Sequence, residues 1–201
     1  EAFDAAAAAL RPWLGFDIAE RMFGGSDALA ETGTTQPALF CLEFALARAW
    51  QARGAAPAAL LGHSIGEFAA AVVAGVMTLA DAARLVARRG ALMQALPPGR
   101  MLSVRLAAEQ LLPLLPEGLS LAAENGPTAC VVAGPAAAIA ACAADFESRG
   151  IAVRVLHTSH AFHSAHMEPA VEPFEAEVRQ VRLAAPTIPI VSTMTGTWLS
   201  D

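Results

Sequence analysis

Lysine is absent from this chain: all 13 basic residues are arginine, set against 19 acidic ones, for a net charge of −6. With alanine so abundant, the all-arginine usage reads as codon bias of a GC-rich genome. No basic patch exists, which argues against a nucleic-acid partner. Charged residues make up only 16 % of the sequence, yet no apolar run reaches membrane-spanning length. The longest, around residues 68–80, is short and lies between Glu67 and Asp81. Cysteine is scarce and odd in number: Cys41, Cys130 and Cys142, widely spaced and without a CxxC. That excludes a disulfide framework and a cysteine-based zinc site, and makes a reducing cytoplasm the default. The opening residues show no signal-peptide pattern and no initiator methionine. The opening at Glu1, inside a helical pattern, is expected of a piece of a longer polypeptide. What is plentiful is apolar: 55 % of 201 residues, with a mean hydropathy of +0.47. Disorder is excluded, and the length suits one domain or one domain with a smaller insert.

Residues 1–31 read as short helices broken at Gly15 and at Gly24-Gly25. Thr34-Thr35-Gln36-Pro37 is a helix start, and the helix runs to about Arg53. Leu39, Leu42, Leu46 and Ala49-Trp50 recur at helical spacing and predict its apolar face. Ala58–Leu61 reads as a strand, Ser64 to about Ala74 as a helix, and Leu79 to about Leu96 as another, stopped by Pro97-Pro98-Gly99. From Met101 to Leu156 the order becomes β-α-β-β-α-β, the pattern of a ferredoxin-like unit. A loop over His157–Ser164, a helix to about Val181 and a strand near Ile188–Val191 follow. The expected organisation is a large α/β part, 1–99 with 158–201, and an inserted small subdomain, 100–157.

Gly62-His63-Ser64-Ile65-Gly66 places a G-x-S-x-G between a strand and a helix. That is what a nucleophile elbow needs: glycines permit the sharp turn and close approach of a ligand, and the serine is pushed out at the helix N-terminus. The amide of Ile65 then points where an oxyanion would develop. A serine nucleophile needs a base, and four of the five histidines, His157, His160, His163 and His166, lie in one stretch. Their spacing of three suggests a metal cluster only weakly, since the stretch shows no consistent helix and no cysteine or carboxylate. One catalytic histidine with neighbours that shape the pocket is the better reading. His63 adjoins the serine and points away from it. On the helix from Leu79, Arg89 falls on the stripe of Leu85, Val86, Leu92, Met93 and Leu96, whereas Arg84 and Arg88 fall on the other side and read as solvated. A guanidinium there calls either for a structural carboxylate partner or for a substrate carboxylate gripped bidentately.

Several stretches together resemble a known family. Gly62-His63-Ser64-Ile65-Gly66-Glu67-Phe68, Ala74-Gly75-Val76 and Arg89-Gly90-x-Leu92-Met93-Gln94 look like the acyltransferase domains of modular polyketide synthases. They are similar also to the malonyl-CoA:acyl-carrier-protein transacylases of fatty acid synthesis. Thr35-Gln36-Pro37-Ala38-Leu39, Asn125-Gly126-Pro127, His160-Ala161-Phe162-His163-Ser164 and Pro189-x-Val191-Ser192 continue the match, in order, along essentially the whole chain. The resemblance implies an α/β-hydrolase-like large subdomain with a ferredoxin-like small one. It implies a Ser–His dyad of Ser64 and His163, with a backbone carbonyl rather than an acidic residue orienting the histidine. Ile65 matches the oxyanion-hole position, and Arg89 matches the arginine that binds the free carboxylate of the extender unit. The implied substrate is malonyl-CoA, with no tightly bound cofactor. The implied partners are an acyl carrier protein, whose phosphopantetheine thiol is the acceptor, and a neighbouring ketosynthase domain.

His63, His160 and Phe162 are expected to line the substrate pocket. His-Ala-Phe-His accompanies malonyl units in this family and Tyr-Ala-Ser-His methylmalonyl ones. Phe162 would fill the space of an α-methyl group, a discrimination worth about 1–3 kcal/mol, and Ile65, where methylmalonyl-type domains often have glutamine, leans the same way. The family's Gly-Gln-Gly strand and Glu-Val-Gly-Pro motif do not occur in this sequence. Two other readings share the elbow: a serine esterase or thioesterase, and an inactive scaffold portion of a megasynthase. Arg89 on the apolar face and the order of elements argue against the first, since hydrolases usually show serine, then an acidic residue, then histidine, and Asp81 and Asp145 lie inside predicted helices. The intact set Ser64, His163 and Arg89 argues against the second.

Overall fold

The computed structural model describes residues 1–25 and 27–199, so the last two positions of the expected 158–201 segment lie outside it. Two compact units are present, one formed by Glu1–Ala91 and Phe174–Asp201, the other by Leu92–Pro173. The 100–157 stretch expected to form the small subdomain falls inside the second.

The first unit is helical around a parallel strand pair. Its helices are α1 (Ala2–Leu14), α2 (Ile18–Phe23), α3 (Thr32–Ala52), α4 (Gly66–Val73) and most of α5 (Leu79–Gln94). Gly15, with φ 71°, ends α1 in the left-handed conformation that suits glycine. The Asp17 carboxylate then accepts from the Ala19 amide at 2.8 Å and caps α2. Strands β1 (Leu60–Leu61) and β6 (Ile190–Val191) pair in parallel, Leu60 with Ile190. The strand expected over Ala58–Leu61 is thus only two residues long, because β6 supplies only two paired positions. The core joins Leu10 of α1, Ile18 of α2, Phe40, Cys41 and Phe44 of α3, Ile65 and Ala69 at α4, and Val86 of α5.

Helix α3 corrects the periodicity reading. Leu39, Leu42, Leu46 and Trp50 are exposed, by 41 to 64 %, and the buried face is Pro37, Ala38, Phe40, Cys41 and Phe44. Apolar residues lie on more than one face of this helix, so their spacing cannot choose the inward side; packing against α1 and α4 does. The helix also starts two residues earlier than expected, at Thr32. Arg84 is corrected as well: its side chain is only 17 % exposed. It donates to the Glu177 backbone carbonyl at 3.2 Å and to Gln180 at 3.0 Å, and Arg88 pairs with the Glu177 carboxylate at 3.0 Å. These bonds tie α5 to the end of α8 (Glu168–Val178).

The second unit carries an antiparallel sheet of β2 (Arg100–Val104), β3 (Ser120–Gly126), β4 (Ala129–Gly134) and β5 (Val153–Leu156), in the order β3-β4-β2-β5. Helices α6 (Ala108–Leu111) and α7 (Ala136–Ser148) are the crossovers. This is the ferredoxin-like order read from the sequence. One core packs Leu102, Val104 and Val132 against Leu111, Ile139, Cys142 and Phe146. A second cluster gathers Met101, Val131, Ala133 and Ala161, with Phe162 against it. The molecule is an α/β fold with a small antiparallel subdomain.

Candidate active site

Ser64 sits in the turn between β1 and α4 with φ 52°. Left-handed backbone costs an L-residue roughly 1–2 kcal/mol, and such strain persists only where the surroundings impose it. Here the turn imposes it. The Gly66 amide donates to the His63 carbonyl at 2.9 Å, Glu67 to Ser64 at 3.1 Å, and Phe68 to Ile65 at 3.1 Å. The helix expected from Ser64 therefore starts at Gly66, since a left-handed residue cannot belong to a right-handed helix. A Cβ on Gly62 would lie 2.2 Å from the Gly66 carbonyl group, so the chain passes under the first turn of α4 only as glycine. The Ile65 side chain is buried in the core, anchoring the elbow from below. The His63 side chain is exposed.

Arg89 reaches this turn from α5. Its Nη2 donates to Ser64 Oγ at a long 3.4 Å, and its Nη1 donates to Gln36 Oε1 on α3. Both acceptors are neutral, and among the described residues Arg89 forms no ion pair. Burial pulls its pKa below the ordinary arginine value, and the nearby Glu67 carboxylate partly counteracts this. The guanidinium keeps its charge throughout the accessible pH range. Glu67 is itself engaged: Oε1 accepts from the Thr193 amide at 3.0 Å and from its hydroxyl at 2.5 Å, clamping the turn after β6 to the start of α4. Glu43 on α3 faces the backbone of Gly66, and its Oε2 is buried without a hydrogen-bond partner among the described residues. Burial raises its pKa. Gln36, Glu43 and Glu67 were not singled out from the sequence. For Gln36 the signal was its place in the Thr35-Gln36-Pro37 stretch; for Glu43 there was none.

The histidine stretch belongs to the second unit. His163 is exposed and has φ 56°. Ser64 and His163 are the only non-glycine residues with positive φ among those described. The loop that carries His163 is held at both ends. The Ser164 hydroxyl donates to the Ala161 carbonyl at 2.6 Å and accepts from the His166 amide at 3.2 Å. Gly99 donates to the Ser159 carbonyl, and a Cβ on Gly99 would fall 2.6 Å from that of fully buried Ala161.

His160 departs from expectation as a residue that contacts substrate. It is 3 % exposed and both ring nitrogens are used: Nε2 faces the Leu96 carbonyl at 3.1 Å, Nδ1 the Ser159 hydroxyl at 2.8 Å. A carbonyl only accepts, so the proton is assigned to Nε2, and Nδ1 accepts from Ser159. His160 is a structural support of the loop. Phe162 is half-buried over the face of the small sheet, its ring 6.0 Å from that of His160. No group of three or more metal-binding side chains occurs among the described residues.

A 260 Å³ hollow between α3, α4 and β1, lined by Trp50, Pro57, Leu60 and Val73 among others, includes none of these residues.

Comparison with known proteins shows the family. The family described as "Acyl transferase domain" matches residues 1–198. The phenolphthiocerol synthesis polyketide synthase type I Pks15/1 of Mycobacterium marinum is 47 % identical over 98 % of the chain, which covers 9 % of that protein. The acyltransferase domain of SpnD, solved in complex with 2-(pent-4-yn-1-yl)malonyl, matches all of the chain with 41 % identity and a TM-score of 0.93. The malonyl CoA-acyl carrier protein transacylase of Burkholderia pseudomallei matches 99 % of it with 34 % identity and a TM-score of 0.89. The chain spans 48 % of the SpnD domain and 71 % of the transacylase. A strained serine at a strand–helix turn, an arginine beside it that forms no ion pair among the described residues, and a match from residue 1 to 198 place this chain in the acyl transferase domain family.

Proposed function

We propose that this chain transfers a malonyl unit from malonyl-CoA to the phosphopantetheine thiol of an acyl carrier protein, within a polyketide synthase working in the cytoplasm. The observation that carries the reading is Arg89: a partly buried guanidinium beside Ser64 Oγ whose hydrogen-bond partners are neutral. Burying a cation without a counter-charge is costly. A ligand carboxylate arriving at that position would supply the charge and set the thioester carbonyl over the serine. Among the described residues no carboxylate lies within ion-pair distance of Arg89, and Glu67, the carboxylate that acts on it from nearby, is engaged by Thr193.

In the proposed cycle His163 takes the Ser64 proton as Oγ bonds to the thioester carbon. The Ile65 amide, at the positive end of α4, donates to the oxyanion. As the carbon–sulfur bond breaks, the CoA sulfur takes the proton back from His163 and leaves as the thiol. The carrier thiol then gives its proton to His163 and attacks the malonyl ester. The second tetrahedral intermediate collapses, the proton returns to Ser64 Oγ, and the thioester is regenerated on the carrier. No tightly bound cofactor takes part. Phe162 favours malonyl over methylmalonyl, and His63 borders the pocket mouth; the Ile65 side chain, buried in the core, acts only through its backbone amide.

The test is the intact mass after brief exposure to malonyl-CoA without acceptor, beside Ser64→Ala. A malonyl adduct on the unsubstituted chain alone is expected. An adduct on both, or on neither while both are folded, would overturn the reading.

A further inference from the structure

An arginine that captures a carboxylate must be held in place without being neutralised. The structure meets both demands through α3. Arg89 Nη1 donates to Gln36 Oε1. The Gln36 amide nitrogen in turn donates to Thr32 Oγ1 at 2.8 Å. Thr32 and Gln36 are 2 % and 6 % exposed and lie one helical turn apart.

The guanidinium decides which way the amide faces: it only donates, so the amide oxygen must face it, and a flipped amide would set donor against donor. The amino group then donates to the Thr32 hydroxyl, which holds the amide from its other end. Backbone packing brings the two helices together at this point. A Cβ on Gly90, the residue after Arg89, would lie 3.3 Å from Gly33 Cα and 3.4 Å from the Thr32 carbonyl oxygen. The first turn of α3 and the Arg89 turn of α5 therefore approach at glycine distance.

We infer that Thr32 and Gln36 are positioning residues for substrate recognition: they aim the Arg89 guanidinium with a neutral acceptor and so leave its charge for the substrate's carboxylate. The inference rests on the reading of Arg89 as the carboxylate anchor. A glutamate at position 36 would keep the shape, supply its own counter-ion and compete with the substrate. A valine at position 32 would keep the shape of threonine and remove the acceptor of the amide nitrogen.

The experiment measures single-turnover acylation of the full chain by malonyl-CoA and by acetyl-CoA, which lacks the carboxylate, for Arg89→Ala, Gln36→Glu, Thr32→Val and Thr32→Ser. Arg89→Ala tests the underlying reading: it must collapse the malonyl-to-acetyl ratio, and if the ratio stays unchanged the anchor role falls and this inference with it. Where Arg89→Ala does collapse it, Gln36→Glu is expected to lower the ratio at least tenfold through a raised malonyl-CoA half-saturation concentration. Thr32→Val should lower the ratio by a smaller factor, and Thr32→Ser, which keeps the hydroxyl, should restore it. The positioning role is overturned if Gln36→Glu and Thr32→Val leave the ratio within twofold, or if both substrates fall in equal proportion. Should Gln36→Glu fail to fold, the near-isosteric Thr32→Val and Thr32→Ser pair decides by the same criterion.

Discussion

The two glycines of Gly62-His63-Ser64-Ile65-Gly66 should respond oppositely to the same substitution. An alanine Cβ at position 62 would lie 2.2 Å from the carbonyl carbon and oxygen of Gly66 and 2.4 Å from the Glu67 amide nitrogen. That is more than about 1 Å inside ordinary carbon contact distance. The atoms it meets are backbone, so no rotamer change relieves it. Overpacking of this kind costs about 1–3 kcal/mol. The turn must also open, which strains the Gly66-to-His63 and Glu67-to-Ser64 hydrogen bonds, each worth about 1 kcal/mol. Gly62→Ala should therefore lose about 3–5 kcal/mol, a large share of a typical domain's stability. At position 66 the new Cβ would meet only the Glu43 carboxyl, at 3.5 Å, an ordinary contact. Because Gly66 opens α4, alanine there should be neutral or stabilising by up to about 1 kcal/mol. Urea unfolding at constant m-value separates the two, and malonyl-adduct mass reports whether Ser64 still stands in position. The steric reasoning is refuted if the two variants unfold within about 1 kcal/mol of each other, or if Gly62→Ala still acylates at the unsubstituted rate.

Three further outcomes follow from the same geometry. Ser64→Gly should be more stable than Ser64→Ala by about 1 kcal/mol, because glycine accepts φ 52° without strain; equal melting temperatures would remove the strain account. The Glu43 carboxyl titrates above its unfolded value because burial disfavours its charge, so the folded state holds that proton longer. Stability should then fall as pH rises from the unfolded value through the raised folded one, and Glu43→Gln should flatten that slope; an unchanged slope speaks against it. The thiol of Cys41 is pushed up to about 12 by burial, and those of Cys130 and Cys142 are raised, chiefly by burial as well. All three should resist a thiol reagent at mildly alkaline pH until the chain unfolds; rapid labelling of any one in the native state would contradict the placement.

Arg84, Arg88 and Arg89 show why position along a helix was an incomplete guide. Their side chains share one helix and one charge. Arg84 and Arg88 pair with Glu177, 93 and 89 residues away, while Arg89 meets a glutamine and a serine. Helical spacing placed Arg89 on the inward stripe. It could not say that the neighbours would be carboxylate for two arginines and neutral for the third, because those neighbours come from other elements.

What the sequence determined by itself is local or periodic. Glycine spacing around Ser64 sets a sharp strand-to-helix turn, since only glycine fits beneath α4 at position 62. The alternation of short strands and helices after Pro98 sets the β-α-β-β-α-β order, and pairing then follows the ferredoxin-like arrangement. Tertiary structure decided the rest. It turned Leu39, Leu42, Leu46 and Trp50 outward on a helix with apolar residues on more than one face. It buried His160 with both nitrogens satisfied inside a stretch where four histidines looked alike. It set Gln36 of α3 against Arg89 of α5, through a close approach of Gly90 to Gly33 that no single segment contains. Hydrogen bonds between distant segments depend on which surfaces meet, and that is settled by packing of the whole rather than by the pattern of any part.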